Sequence, residues 1–319
     1  MGWYAELTGK TPCSEEVRTM KQEKVHNDVR SFRTFSTVIL AILAVITLLP
    51  ILLIVIASFT DEKVLLSSGY TYFPSKLSLD SYFYMVRQGP MILRAYGITV
   101  LVTVLGTLGS ILLTSTLAYP MSRRDFKWHN VLSFLVFFTM LFNGGVVSAY
   151  IMWSTIFGIK DTLLALILPN YLVTAFNVFL IRNYYSNSIP MALIESAKID
   201  GASELTTFIK IMLPLAVPVM ATVALFTGLT YWNDWTNGLY YITNPELYGI
   251  QNLLIRIMNN IQFLKSSSNA ALLGTQTVDL PGTSVRMAMA VIGILPILIV
   301  FPFVQKFFVK GVVLGAVKG

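Results

Sequence analysis

Charge is scarce in this chain: Asp, Glu, Lys and Arg make up 12% of its 319 residues, where a soluble domain carries about a quarter. With 55% hydrophobic residues and a mean hydropathy of +0.68, that shortage excludes an ordinary soluble domain and indicates an integral membrane protein. Cysteine is almost absent. Cys13 is the only one, so no intrachain disulfide can form. The two histidines, His26 and His129, stand far apart and offer no recognisable metal-ligand spacing. Residues 1–34 lack the short apolar core of a cleaved secretory signal and read as a retained polar tail. Within that tail Gly9-Lys10-Thr11 imitates the end of a phosphate-binding loop, but the upstream glycine is missing and no strand precedes it.

Six stretches reach the roughly 20 mainly apolar residues that a helix needs to cross hydrocarbon, namely 35–59, 97–121, 130–153, 162–181, 214–235 and 287–308. Alternation of apolar and polar residues is lacking, which excludes a β-barrel. The predicted organisation is a tail over 1–34, an all-α membrane region over 35–309 and a second tail over 310–319. A polar loop over 183–213 and a long loop over 236–286 connect the later spans. The net charge of +7 could suggest nucleic acid, yet the basic residues flank the spans, where they set orientation. If the N-terminus is cytoplasmic, 15 of the 23 Lys and Arg residues fall on inside segments. Both termini and the 183–213 loop are therefore expected inside, and 236–286 outside.

The spans hold almost no ionisable groups. Asp234, at the outer end of the fifth, is the exception, so the midplane charges of a proton- or sodium-driven transporter are missing. No Gly-x-Ser-x-Gly elbow, His-Glu-x-x-His pair or carboxylate pair marks a reaction centre. Energy and chemistry are expected to come from other subunits. What the spans do contain is punctuation: Asn143-Gly144-Gly145 in the third, Pro169-Asn170 and Asn177 in the fourth, Pro296 and Pro302 in the sixth. These either pack helices closely or line a hydrophilic pathway. Tyr231, Trp232, Asn233, Asp234 and Trp235 end the fifth span with a mixture of rings and polar groups. That mixture suits a sugar, although the residues alone favour an interfacial aromatic belt.

Residues 195–214 form a polar island between apolar segments. Ile189, Leu193 and Ala197 lie at helical spacing on one flank, and Leu205, Phe208, Ile209 and Met212 on the other, with Gly201 as the turn between them. The pattern Glu195-Ser196-Ala197, then Gly201, then Ile211-x-Leu213-Pro214 resembles the cytoplasmic loop of binding-protein-dependent ABC importer permeases. Ser196 is its one departure, standing where the family has alanine. Asn143-Gly144-Gly145, Ile159-Lys160-Asp161-Thr162, Trp232-Asn233-x-Trp235 and the closing Gly315 to Gly319 extend the resemblance to the maltose-type carbohydrate permeases, and most to the branch importing complex or acidic oligosaccharides such as aldouronates. Ser148 replaces a proline found in many relatives.

The resemblance implies a six-helix type I importer permease with a cytoplasmic coupling helix, in a bacterial cytoplasmic membrane. It implies a second homologous permease, two copies of an ATPase that carries ATP and Mg, an extracytoplasmic solute-binding lipoprotein and an oligosaccharide substrate. No cofactor or metal is expected in this chain, and no nucleic acid. Glu195, Ser196, Ala197, Gly201, Ile211, Leu213 and Pro214 would engage the ATPase, with small side chains at 197 and 201 permitting close docking. Gly315, Lys318 and Gly319 would form a second ATPase contact. Asn143, Asn170, Asn177, Tyr231, Trp232, Asn233, Asp234 and Trp235 are the candidates for the substrate pathway. A self-contained secondary sugar transporter is the alternative reading, followed by a membrane glycan-processing enzyme.

Overall fold

In hydrocarbon every backbone amide must find its partner within the chain, which favours helices, and helices dominate. The computed structural model describes residues 12–265 and 282–316, and among them only one isolated β-bridge occurs, between Thr60 and Leu77. The first helix, α1 (Pro12–Ser58), is 47 residues long and passes residue 34 without a break. Its apolar side chains from Phe32 onward are mostly exposed, which suits a hydrocarbon surrounding.

Two short helices, α2 (Glu62–Ser68) and α3 (Asp80–Arg87), lead into α4 (Gly89–Ser122), the central helix of the bundle. The predicted third span is not one rod. It comprises α5 (His129–Leu141) and α6 (Gly145–Tyr150), the latter continued by a π turn over Ile151–Ile156, and the two halves are bent by 119°. Gly145 takes φ +80°, and the Asn143 side chain accepts its N–H at 2.8 Å. Ser148 donates back to the Gly144 and Gly145 carbonyls. This closes the new helix start where a proline would offer no hydroxyl.

The predicted fourth span is also broken, at its Pro169-Asn170 punctuation: α7 (Leu164–Ile167) is followed by a turn there, then α8 (Ala175–Ser188). Asn170 sits at φ +67°, a conformation asparagine tolerates better than most residues. After it come α9 (Met191–Ile199), α10 (Glu204–Thr207), a π turn over Phe208–Met212, α11 (Leu213–Leu215) and α12 (Val217–Trp232). The chain closes with α13 (Thr236–Tyr241), α14 (Ile250–Lys265) and α15 (Thr283–Ala316). Pro296 and Pro302, expected to interrupt the last span, lie inside α15 without ending it.

Among the described residues, three apolar cores hold these pieces. At the end carrying the 195–214 motif, Met121 of α4 packs with Ile181 and Tyr185 of α8, Ile194 of α9 and Met212. At the opposite end Val102 of α4 meets Leu166, Tyr231 and Ile242. There Gly106 permits contact, because a Cβ on it would lie 2.5 Å from the Tyr231 ring. The third core anchors the described part of the predicted 236–286 loop, of which 266–281 lie outside the described residues. Ile250, Leu253, Leu254, Ile257 and Ile261 line one face of α14 and pack with Ile92 and Ala95 of α4 and Val285 and Met289 of α15.

Glu62 fastens that end. Its carboxylate accepts the backbone N–H groups of Gly282 (3.0 Å), Thr283 (2.9 Å) and Ser284 (2.8 Å), and the Ser284 hydroxyl at 2.7 Å. These are the amides that a helix start leaves unsatisfied, at the end where negative charge is favourable. Burial pushes the carboxyl up, but the hydrogen bonds from Ser284, Thr283 and Gly282 outweigh it and bring it to about 2. A lowered carboxyl stabilises the fold above its ordinary value of 4.5 and ceases to do so as pH falls towards 2. Glu62→Gln is therefore expected to lower stability by about 1–2 kcal/mol at pH 7, with the difference shrinking in acid. Thermal unfolding of the detergent-solubilised protein at neutral pH and at pH 3 checks this; a pH-independent difference contradicts it.

Candidate functional site

The 195–214 motif folds as a helical hairpin whose turn follows from its glycine. Helix α9 ends in a paired closure, with the Ala202 N–H reaching the Ala197 carbonyl at 2.9 Å and the Gly201 N–H reaching Lys198 at 3.0 Å. That closure requires a left-handed residue, and Gly201 has φ +77°. A Cβ at Gly201 would meet nothing within 4 Å, so its freedom serves the turn and not an approach within this chain. Ser203 then caps α10, accepting the Thr206 N–H at 3.2 Å. Pro214 has no N–H to return to the Lys210 carbonyl, which fits the widened π turn immediately before it. At Ala216 the axis turns by 76° into α12.

The two predicted apolar stripes are corrected at several positions. Ile189, Ile194 and Ala197 are buried, as are Phe208 and Met212, whereas Leu193, Leu205 and Ile209 are exposed. Ala197 thus faces its own bundle and is not available for docking. Ile211 and Leu213 are half-buried, and Pro214 is exposed. The outward face carries Glu195 and Ser196 together with Ile199, 86% exposed, and Leu205, 67% exposed.

Beneath this face lies a charge cluster that the sequence reading missed. Arg123 is buried, yet its guanidinium donates to Asp125 through Nε (2.9 Å) and Nη2 (2.6 Å), and to the Tyr119 hydroxyl at 3.0 Å. Tyr119 in turn donates to Glu204 at 2.5 Å. Lys198 reaches Asp125 at 2.7 Å and Glu204 at 3.4 Å. Two cations and two carboxylates therefore tie α9 and α10 to the end of α4. The planar fork of arginine suits this bidentate arrangement. Hydrogen bonds from Arg123, then Lys198, hold the Asp125 carboxyl well below the usual range. The Tyr119 hydroxyl does the same for Glu204. In the sequence Arg123 and Lys198 stand only among the basic residues that set orientation, and the Tyr119/Arg123 spacing of one helical turn is the local signal.

The expected pathway residues separate into two groups. Several of them hold helix ends together. The Asn170 amide donates to Asn237 at 3.1 Å, Asn177 to Thr227 at 3.1 Å, and the Tyr231 hydroxyl to the Ile167 carbonyl at 2.7 Å. Asp234 accepts the N–H groups of Thr236 (2.9 Å) and Asn237 (3.1 Å) and the Tyr171 hydroxyl (3.2 Å). Tyr231 is fully buried, which removes it from both an aromatic belt and a ligand surface. Asn143 is used in the bend of the third span. Trp232 leans on the Gly293 carbonyl at 3.4 Å, while Asn233 and Trp235 remain outward. Asn177 also borders a groove of about 290 Å³ with Tyr171, Thr174 and Thr227. Gly315 lies in α15, whereas Lys318 and Gly319 fall outside the described residues. Among the described residues no cluster suited to a metal ion occurs.

Residues 110–314 match the binding-protein-dependent transport system inner membrane component family. The chain belongs to this family. It is similar to the polygalacturonan/rhamnogalacturonan transport system permease protein YtcP of Bacillus subtilis (strain 168), with 38% identity over 266 residues, covering 83% of this chain and 91% of the relative. Protein LplC of the same organism is 39% identical over 266 residues, covering 83% and 88%. A solved bacterial ABC transporter involved in the import of the acidic polysaccharide alginate contains a chain that superposes with a TM-score of 0.72 at 28% identity, covering 88% and 97%. The permease is accordingly an all-helical membrane transporter subunit and not an enzyme. Members of its family work with a partner permease, an ATPase and a binding protein.

If Arg123 is what fastens the hairpin, Arg123→Met should destabilise the permease. Losing one member of a buried pair costs about 3–5 kcal/mol, but Asp125 and Glu204 are half-exposed, so about 1–3 kcal/mol is expected here. Thermal unfolding in detergent, with proteolysis of the 183–213 loop, checks this. Arg123→Lys should recover only part of the loss, and wild-type stability in both variants contradicts the assignment.

Proposed function

We propose that this permease is one half of the membrane pathway of an ATP-driven oligosaccharide importer, and that its 195–214 hairpin is where a separate ATPase drives it. The observation that carries the reading is an exposed apolar pair, Ile199 and Leu205, set beside Glu195 and Ser196 on an element fastened to the bundle by buried contacts. An isolated surface hairpin gains nothing from exposing large side chains in water. A docking element does, provided that it is rigid enough to pass motion on. On this reading the hairpin and both termini face the cytoplasm, the membrane is the bacterial cytoplasmic membrane, and the six stretches of 35–309 are the spans.

The supporting cast follows from the family. A second, homologous permease supplies the other half, two ATPase copies hold ATP and Mg, and an extracytoplasmic lipoprotein delivers the sugar. Residues 236–286 face that binding protein. Gly315, Lys318 and Gly319 give the ATPase a second contact. The relatives' acidic polysaccharides point to a complex or acidic oligosaccharide as cargo. Asn177, Asn233 and Trp235 remain the candidates for touching it. Asn170, Tyr231 and Asp234 instead keep the walls of the pathway in register. In alternating access, closure of the ATPase pair would move both hairpins, and the Arg123 cluster would carry that motion into α4 and α12.

Two sets of variants in the reconstituted importer test the reading. Ile199→Asp and Leu205→Asp should each reduce ATPase association by about tenfold or more, which corresponds to about 1.4 kcal/mol, while leaving the permease folded. Retention of full affinity by both overturns the docking face. Gly201→Val should cost about 1–2 kcal/mol because a β-branched residue resists a left-handed backbone, and should abolish substrate-stimulated ATP hydrolysis. Gly201→Asn keeps the turn but adds a side chain to the open face. Loss of coupling with a normal fold in that variant points to close docking at 201, and normal coupling restricts Gly201 to the turn.

A further inference from the structure

On the opposite end of the bundle, charges are paired with some care. Arg94 meets Glu246 at 2.9 Å, and Lys76 meets Asp61 at 2.7 Å. Arg256 donates to Asn252 at 2.8 Å and to the Ile242 carbonyl at 3.1 Å, and lies over the Tyr248 ring. Arg87 and Arg286 differ: both are exposed, and among the described residues no carboxylate, carbonyl or ring engages either guanidinium. Arg286 stands on the first turn of α15. It faces a groove of about 310 Å³ between α14, α15 and the end of α12, and stands on the border of a smaller one of about 60 Å³ reaching Gln262 and Thr283.

The groove has the other parts of a sugar subsite. Asn233 donates one N–H to the Leu229 carbonyl at 2.9 Å, and its amide oxygen accepts nothing among the described residues. Gln251 also lines the groove, its amide 3.7–3.9 Å from where a Cβ on Gly293 would be, an ordinary contact distance that places the amide beside α15. Leu254, Met258 and Met289 supply apolar walls. Arg286 and Gly293 are two helical turns apart on one face of α15, about 10 Å along its axis, enough for a disaccharide unit. A guanidinium binds a carboxylate bidentately, amides serve hydroxyls, and methionine and leucine side chains take up a ring's C–H face.

We infer that Arg286, with Asn233 and Gln251, forms a subsite that selects oligosaccharides carrying a carboxylate, the sugar's uronate group pairing with the guanidinium as it leaves the binding protein. The inference rests on the proposed carbohydrate pathway and adds a residue that the sequence had counted only as an outer loop charge. The test is equilibrium binding of radiolabelled trigalacturonate and of its fully methyl-esterified form to the detergent-solubilised importer. Arg286→Gln should weaken binding of the acid about tenfold and leave the ester unchanged, and Arg286→Lys should restore part of the difference. An unaltered elution profile and thermal unfolding temperature establish that the variants are folded. Equal loss of both probes, or loss of neither, overturns the subsite. Displacement by phosphatidylglycerol but not by unlabelled trigalacturonate would assign the arginine to a lipid headgroup and overturn it as well. Binding of a neutral xylo-oligosaccharide in place of both uronate probes would defeat the Arg286 inference and leave the carbohydrate reading standing. Binding of no carbohydrate at all would defeat both.

Discussion

Arg123 is a cation withdrawn from water at the end of a mainly apolar bundle, and such a group persists only where its donors are matched. Asp125 and Tyr119 take its nearer hydrogen bonds, and Glu204 completes the neutralisation. Because Asp125 lies in the loop after α4 while Lys198 and Glu204 lie on either side of the Gly201 turn, satisfying one guanidinium also fixes the hairpin. The apolar core of Met121, Ile194 and Met212 lies in the same region. The hairpin cannot shift on its own without separating charges and opening that core, so a push on its outward face is transmitted to α4 and α12.

A second constraint acts inside the spans. Breaking a helix in hydrocarbon frees amides and carbonyls that nothing outside will satisfy. This chain breaks two of its predicted spans and supplies the missing partners from side chains close by. Asn143 and Ser148 close the 119° bend. The Asn170 and Asn237 amides, with the Pro169 carbonyl, join the fourth span to α13. Asp234 gathers two N–H groups at the start of α13 and the Tyr171 hydroxyl. Polar residues that look like pathway lining in the sequence are thus largely consumed in building the walls.

That division marks the limit of what the sequence made legible. Long apolar runs announce α1 and α4, and the spacing from Glu195 to Pro214 announces the hairpin with its turn at Gly201, because these signals are local. Asn143-Gly144-Gly145 signals a break but carries no information on its angle. The Arg123 cluster was illegible because its members are brought together from positions up to 85 residues apart. The stripes failed at Leu193, Leu205 and Ile209 because periodicity identifies an apolar face without saying whether bundle, lipid or partner covers it. Ala197 was misplaced for the related reason that a small residue suits a crowded core as well as a crowded interface.

The central claim is that the hairpin and the adjoining end of the bundle move as one body when the ATPase closes. Pulsed electron spin resonance between labels at Leu193, an exposed hairpin position outside the docking face, and Trp128, also exposed, measures this within one chain. The account predicts the same distance distribution in the nucleotide-free and ATP-trapped importer, while the distance from Leu193 to the partner permease changes. A shift or marked broadening of the Leu193–Trp128 distance on ATP trapping would contradict it.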